Sequence, residues 1–325
     1  MANCDNLFKD FNGEGKLRIT KTKDSNLNSS QVSVRKRIKN YFKENYPKYL
    51  PTFYTQGSYK TGTTIRTKDD TCDMDDGVYF KTNPDNVSGT TLQRWVQEAV
   101  DGLTDAKPSH RKKCITVDFK AGYNIDLPVF VFNKNEEEHP KLAVKDSDFQ
   151  IDDPKEFFKE VEKQKDKEGQ LIRTIRYLKA WCDHKGKKMP SGLAMTVLAM
   201  NHMQKNLRDD ISLKFTLIEI EKELKRTFKC IMPTTPKDNL FGDYDSARQN
   251  NFLNNLADFI ADAKKAVDEE KNQLKASKLW KKHLGDKFPE GEDIEEKALS
   301  ASLLSSTIGL AKPYCGPFKI GRAHV

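Results

Sequence analysis

Two aspartates one residue apart, Asp73 and Asp75, stand in the run DMDDGVYF at 73–80. In a strand, residues i and i+2 share a face, so these carboxylates project side by side. Met74, Val78 and Phe80 point to the other face. Two carboxylates on one face repel each other unless a cation sits between them. Hard oxygen ligands suit Mg²⁺, and Mn²⁺ can replace it. Asp76 falls on the Met74 face, where a structural or solvated role is expected. A third acid, Asp126, lies in the apolar run YNIDLPVFVF at 123–132. Ile125, Leu127, Val129 and Val131 form one face, and a lone acid on the other needs a partner. Asp118 on the preceding segment is the rival. It alternates with Ile115, Val117 and Phe119 and reads as an exposed strand position. Asp126 is favoured on that pairing logic.

Gly57-Ser58 follows the short strand pattern TFYTQ at 52–56 and precedes a helix start. Glycine lets the backbone approach a phosphate closely. The free N–H groups of a helix start favour an anion there, and Ser58 adds a hydroxyl. No Gly-Lys-Ser/Thr follows, so this is not a Walker loop.

The elements that must position these residues change character along the chain. A helix is expected from about Ser29 to Tyr46, with Val34, Ile38, Tyr41, Phe42 and Tyr46 on its apolar stripe and Pro47 ending it. Strands at 52–56 and 73–80, a helix over 90–103 and a hairpin of 114–120 with 123–132 follow. Beyond about residue 150 the period is helical, broken by the Pro/Gly/Asp loop 231–245. Strands leading and helices following argue an α+β protein of two lobes, 1–150 and 151–319.

Composition bounds the setting. The chain has 325 residues, 36% hydrophobic and 32% charged, enough for one large domain or two ordinary ones. The longest nearly apolar stretch, Leu193–Met200, is far short of the ~20 residues that a bilayer requires. The N-terminus carries acids and lacks an apolar segment, so no secretory signal and no membrane association are expected. A net charge of +8 permits an anionic partner without demanding one. The six cysteines, at 4, 72, 114, 182, 230 and 315, form no C-x-x-C pair, which argues for reduced thiols in the cytoplasm. The last six residues, Ile320–Val325, match one frame of a widely used DNA-sequencing adapter. They are read as adapter-derived, with the native C-terminus missing.

The combination GSYKTGT, DMDDGVYF and YNIDLPVF resembles the polymerase-β-like nucleotidyltransferases, and within them the bacterial cGAS/DncV-like enzymes (CD-NTases). RYLKAWCDH followed by MPSGLAMTVLA is similar to the start of that family's helical domain, shared with oligoadenylate synthase. The resemblance covers most of 30–315. It implies a nucleotidyltransferase core with a mixed sheet, an N-terminal spine helix and an all-helical C-terminal domain completing a nucleotide cleft. Asp73, Asp75 and Asp126 would hold two Mg²⁺ ions. Gly57 and Ser58 would hold the β- and γ-phosphates, and Lys179 and Ser191 would reach the triphosphate from the helical lobe. The implied activity is synthesis of a cyclic di- or trinucleotide from ATP, GTP or other nucleoside triphosphates, releasing pyrophosphate. The family context is anti-phage signalling (CBASS), in which a separate effector protein reads the product.

Arg173, Arg176 and Lys179 share a basic helix face that could line the cleft, although plain solvation explains the two arginines equally well. Ser191 also suits a helix N-cap. Tyr59, Phe241 and Tyr244 are candidate base-stacking residues, none of them assigned. Arg35, Lys36, Arg37, Lys39 and Lys43 make the N-terminal helix basic, which suits either an RNA activator or a solvated face. Two alternatives stand beside the cyclic synthase: a linear oligonucleotide or RNA-end nucleotidyltransferase, and a catalytically silent nucleic-acid-binding module.

Overall fold

A computed structural model describes residues 1–186 and 188–294. The expected adapter segment 320–325 and Cys315 lie outside the described residues. The strands are β1 (Thr52–Gln56), β2 (Cys72–Phe80), β3 (Ser109–His110), β4 (Ile115–Phe119), β5 (Tyr123–Leu127), β6 (Val129–Val131), β7 (Lys141–Leu142) and β8 (Gln150–Ile151). They form one mixed sheet in the order β3-β4-β5-β2-β6-β7-β8, with β1 added antiparallel to β2. β2 is the central strand. β5 runs parallel to its first half and β6 parallel to its second, with Pro128 between them. The α+β class and mixed sheet expected from the sequence are those observed.

Two helices back the sheet, α2 (Lys21–Asn45) and α4 (Gly89–Val100). Leu27, Val34, Ile38 and Phe42 of α2 and Leu92 and Val96 of α4 meet Met74, Val78 and Ile125 in one core. α2 begins eight residues earlier than expected. Thr20 caps it by accepting from the Lys23 N–H, and Leu27 is fully buried inside what reads as a polar stretch.

The remaining helices make a second core. They are α1 (Asp5–Phe11), α6 (Gln170–Lys185), α7 (Gly192–His202), α8 (Asp209–Arg226), α9 (Ser246–Lys264) and α10 (Gln273–Leu284). α5 (Pro154–Gln164) bridges instead, packing against β1 and α3 (Gly57–Thr61). The division at residue 150 differs from the packing at the N-terminus: Ala2 to Leu17 belong to the helical core. Phe8 meets Tyr177, Trp280 and Phe288 edge-on with ring centroids 4.9–5.0 Å apart. Such edge-to-face contacts add to the burial of three large rings.

Phe8→Ala is expected to destabilise the protein by about 3–5 kcal/mol, the cost of emptying a large core site. Denaturant unfolding measures it. A loss under about 1 kcal/mol would mean that α1 is not part of the helical core.

Candidate active site

β2 and β5 pair in parallel with Asp75 directly opposite Asp126, and Asp73 two residues away on the same face. All three line one cleft of about 660 Å³ between the sheet and α5, α6 and α7. Asp118 is not among the cleft residues. Thr116, opposite Asp126 in the antiparallel β4–β5 pair, donates its hydroxyl to Asp126 Oδ1 at 2.5 Å. Asp76 points to the other side and is fully buried. Arg35 donates to both of its carboxylate oxygens, at 2.7 and 2.5 Å, and Gln31 donates to it at 2.9 Å. Its expected structural role takes the form of a buried ion pair.

β1 is antiparallel to β2 with Gln56 opposite Asp75, so the residue after the strand arrives at that carboxylate. That residue is Gly57, at φ +63°. A Cβ there would lie 1.9 Å from Asp75 Oδ2, so only glycine fits both the backbone and the neighbour. Ser58 Oγ lies 3.0 Å from Thr64 Oγ1. α3 has only five residues, so its summed dipole is smaller than the sequence reading supposes. Gly57 and Ser58 offer a close backbone approach and a hydroxyl more than a helix terminus.

The electrostatics are those of crowded acids. Burial first, then Asp126 and Asp73, pushes the Asp75 carboxyl up to about 7. Burial and Asp126 raise Asp73 as well, although cleft solvent reaches its side chain. Lys179 projects from α6 into the same cleft, and its Nζ donates to the Thr63 carbonyl at 3.2 Å and the Thr63 hydroxyl at 3.0 Å. Burial brings its ammonium down to about 7, against the pull of Asp75. Three oxygen-only donors held together at this cost fit a divalent cation of the Mg²⁺ type. Among the described residues, the group of three whose ligand atoms lie within 4.8 Å of one another is a different one, His139, Asp153 and Glu156, at the base of α5. There Asp153 already caps the helix and contacts His139.

Ser191 is exposed and caps α7, its Oγ accepting from the Ala194 N–H at 3.2 Å. Two residues of the expected basic face are engaged elsewhere. Arg173 forms a two-bond pair with Asp209, and Arg176 donates to Asn12 Oδ1 and the Gly62 carbonyl. Arg35 is committed to Asp76, and Arg37 donates to the Asp101 carbonyl, which removes Arg35 from an outward-facing role. Lys36, Lys39 and Lys43 are exposed. The aromatic candidates lie elsewhere: Phe241 and Tyr244 are in the helical core and Tyr59 donates to Asp24. The aromatic residues lining the cleft are Phe130, Phe157 and Phe158, which sequence reading missed. Their signal, a pair of phenylalanines one turn into an amphipathic helix, also describes ordinary core packing.

Gly57→Ala is expected to lower stability by about 1–2 kcal/mol through its left-handed backbone alone. It should also weaken Mg²⁺ binding in calorimetry, because the new methyl displaces the Asp75 carboxylate. Unchanged Mg²⁺ affinity would show that Asp75 is not held in place by this contact.

Residues 51–130 match the nucleotidyltransferase domain of cyclic GMP-AMP synthase DncV-like proteins. A curated relative, the cyclic GMP-AMP synthase of Escherichia albertii, is 27% identical over 246 residues, which are 69% of this chain and 54% of that protein. The chain therefore spans about half the length of the curated relative it matches. The crystal structure of the Vibrio cholerae DncV cyclic AMP-GMP synthase superposes with a TM-score of 0.77 at 17% identity, covering 89% of this chain and 98% of that one. The same enzyme in complex with the linear intermediate 5′ pppA(3′,5′)pG gives 0.76 at 17% identity, over 88% and 96%. Among the described residues no helix is long and apolar enough to cross a membrane. With its three acids on β2 and β5 and Gly57 against them, the segment 51–130 matches the DncV-like nucleotidyltransferase domain, and the chain around it is similar in fold to the Vibrio cholerae enzyme.

Proposed function

We propose that this protein joins nucleoside triphosphates into a cyclic di- or trinucleotide, releasing pyrophosphate at each step. The observation that carries the reading is the in-register pairing of Asp75 with Asp126 beside Asp73, in a cleft that Gly57, Ser58 and Lys179 also line. The relative named a cyclic GMP-AMP synthase and the Vibrio enzyme solved with a linear intermediate support the direction of the chemistry.

Asp73, Asp75 and Asp126 would hold two divalent ions, Mg²⁺ or Mn²⁺. When bound, such ions neutralise phosphate charge and lower the pKa of an attacking hydroxyl. The chain's own part is position and charge. Gly57, Ser58, Lys179 and Ser191 hold the triphosphate of the donor. A ribose hydroxyl oxygen of the acceptor attacks the α-phosphorus, and the bond to the β-phosphate oxygen breaks with its electron pair leaving on pyrophosphate. Asp126 takes the hydroxyl proton on Oδ2, since Oδ1 accepts from Thr116. A second round closes the ring. By family resemblance the product serves bacterial anti-phage signalling in the cytoplasm through a separate effector. An RNA contact along Lys36, Lys39 and Lys43 is part of the same proposal, and turnover stimulated by RNA at low salt but not at high salt would support it.

Each radiolabelled nucleoside triphosphate, incubated with the protein and Mg²⁺ or Mn²⁺, should give a product that survives phosphatase and has a cyclic mass. Asp73→Ala with Asp75→Ala should abolish it. A phosphatase-sensitive product would establish the linear polymerase instead. RNA binding that survives the double change, without turnover in the parent, would establish the silent module.

Lys179 sets a pH dependence. A triphosphate binds the ammonium form, so nucleotide affinity should fall as pH rises past about 7, by up to about tenfold per unit. Lys179→Met should bind more weakly and lose that fall. The difference between the two pH curves isolates the lysine from Asp75, which titrates in the same range. Parallel curves would assign the dependence elsewhere.

A further inference from the structure

Among the described residues, the cluster at the base of α5 joins a nitrogen ligand to two carboxylates. His139 lies in the loop between β6 and β7, Asp153 is the N-cap of α5 and Glu156 stands in its first turn. All three are half-buried. His139 Nδ1 and Asp153 Oδ2 are 3.2 Å apart. Two ligands of a tetrahedral Zn²⁺ ion, each ~2.0–2.1 Å from it, stand about that far from one another. A plain His–Asp hydrogen bond has the same length, so Glu156 decides between them. Capping accounts for Asp153, whose Oδ1 accepts from the Lys155 and Glu156 N–H groups. In a capping box the acid three residues on reaches back to the N-cap's own N–H. Glu156 instead accepts from the Thr235 N–H through Oε2 at 2.9 Å, and Thr235 Oγ1 lies 3.3 Å from His139 Nε2. Its carboxylate is therefore drawn out of the helix towards the residue that touches His139. Among the described residues no lysine or arginine forms an ion pair with Asp153 or Glu156, and the Lys155 ammonium lies over the rings of Tyr54 and Tyr79. Two half-buried acids with an imidazole between them and no fixed cation are short of positive charge.

We propose that His139, Asp153 and Glu156 bind one divalent transition-metal ion of the Zn²⁺ type, separate from any ion held by Asp73, Asp75 and Asp126. An imidazole ligand favours Zn²⁺ over Mg²⁺ and Ca²⁺, which take oxygen ligands. Three protein ligands leave the fourth tetrahedral position to a water molecule. Neutral His139 and the two carboxylates balance the charge of the ion. Nδ1 ligates, and the Nε2–H is then free to donate to the Thr235 hydroxyl, the usual outer partner of a metal-bound histidine. Asp153 ligates through Oδ2 and keeps its capping bonds on Oδ1. The consequence is mechanical. Thr235 belongs to the loop from α8 to α9, so the ion fastens the β6–β7 loop, the start of α5 and that loop of the helical lobe at one point. Asp153 and Met232 of the same loop also line the cleft, and loading the site stiffens that wall. The inference goes beyond the nucleotide-joining reading and does not rest on it.

Chelator-treated protein, titrated with Zn²⁺ by calorimetry in the presence of excess Mg²⁺, should bind one equivalent. Glu156→Gln keeps an acceptor for the Thr235 N–H and removes the charge, and His139→Gln removes the nitrogen ligand. Loss of an outer partner alone costs about 10–100-fold in metal affinity, so loss of a ligand should cost at least about tenfold. Zn²⁺ should raise the melting temperature of the parent and leave that of Glu156→Gln nearly unchanged. Asp73→Ala with Asp75→Ala should bind Zn²⁺ as the parent does. No Zn²⁺ binding by the parent, unchanged affinity in both Glu156→Gln and His139→Gln, or binding lost with Asp73 and Asp75 would each overturn the assignment. Anomalous scattering from a Zn²⁺-soaked crystal of the parent places the ion directly, and decides the matter even where a variant does not fold. Every readout is metal binding, so none depends on whether the protein joins nucleotides.

Discussion

Three carboxylates in one cleft repel one another, and the protein spends packing energy to keep them together. Asp75 and Asp126 face each other across a parallel strand pair, where the backbone ladder allows little retreat. Asp73 and Asp75 respond by holding their protons more tightly. What stands behind them explains why the strand stays put. Met74 and Ile125 are fully buried in the sheet core, and Asp76 is locked to Arg35 and Gln31 of α2. Alternation along β2 thus sends two acids forward into the cleft and one backward into a buried ion pair. Breaking such a pair by removing one partner strands an uncompensated charge, so α2 and β2 are coupled at this point.

The opposite wall is built on different terms. Lys179 reaches the cleft from a helix whose apolar residues belong to the helical core. Its ammonium is costly there, and its present partners are the carbonyl and hydroxyl of Thr63, a residue of the loop that follows α3. The same lysine therefore touches the helical lobe, the loop after the Gly57-Ser58 turn and the field of Asp75. A triphosphate arriving there would meet a cation already near neutrality and would favour its protonation.

Much of this site was legible in the residues. Period-two alternation identified the face of Asp73 and Asp75, and the pairing cost of a lone strand acid separated Asp126 from Asp118. The strand segments 52–56 and 73–80 lie where β1 and β2 are found. Spacing could not give long-range partners. Arg35, Arg173 and Arg176 read as solvent-facing or cleft-lining cations because Asp76, Asp209 and Asn12 are 36 or more positions away. The aromatic candidates failed for a related reason: Phe241 and Tyr244 sit in a polar loop but pack on Phe252 and Phe228. Phe157 and Phe158 carry no local mark that distinguishes a cleft wall from a core. The early start of α2 was hidden by a polar stretch whose capping threonine outweighs its weak periodicity.

The N-terminal helix imposes an order on synthesis. Cys4 N–H is held by Asp210, and Phe8 packs on Trp280 and Phe288, more than 200 positions downstream. Strands β1 to β8 lie within 52–151 and can pair as soon as they leave the ribosome. α1 meets Trp280 and Phe288 only after those residues have been made, so part of its apolar face waits exposed while the sheet is already forming. Assembly of the helical core therefore depends on keeping the seven residues of α1 out of other associations until those partners have been made.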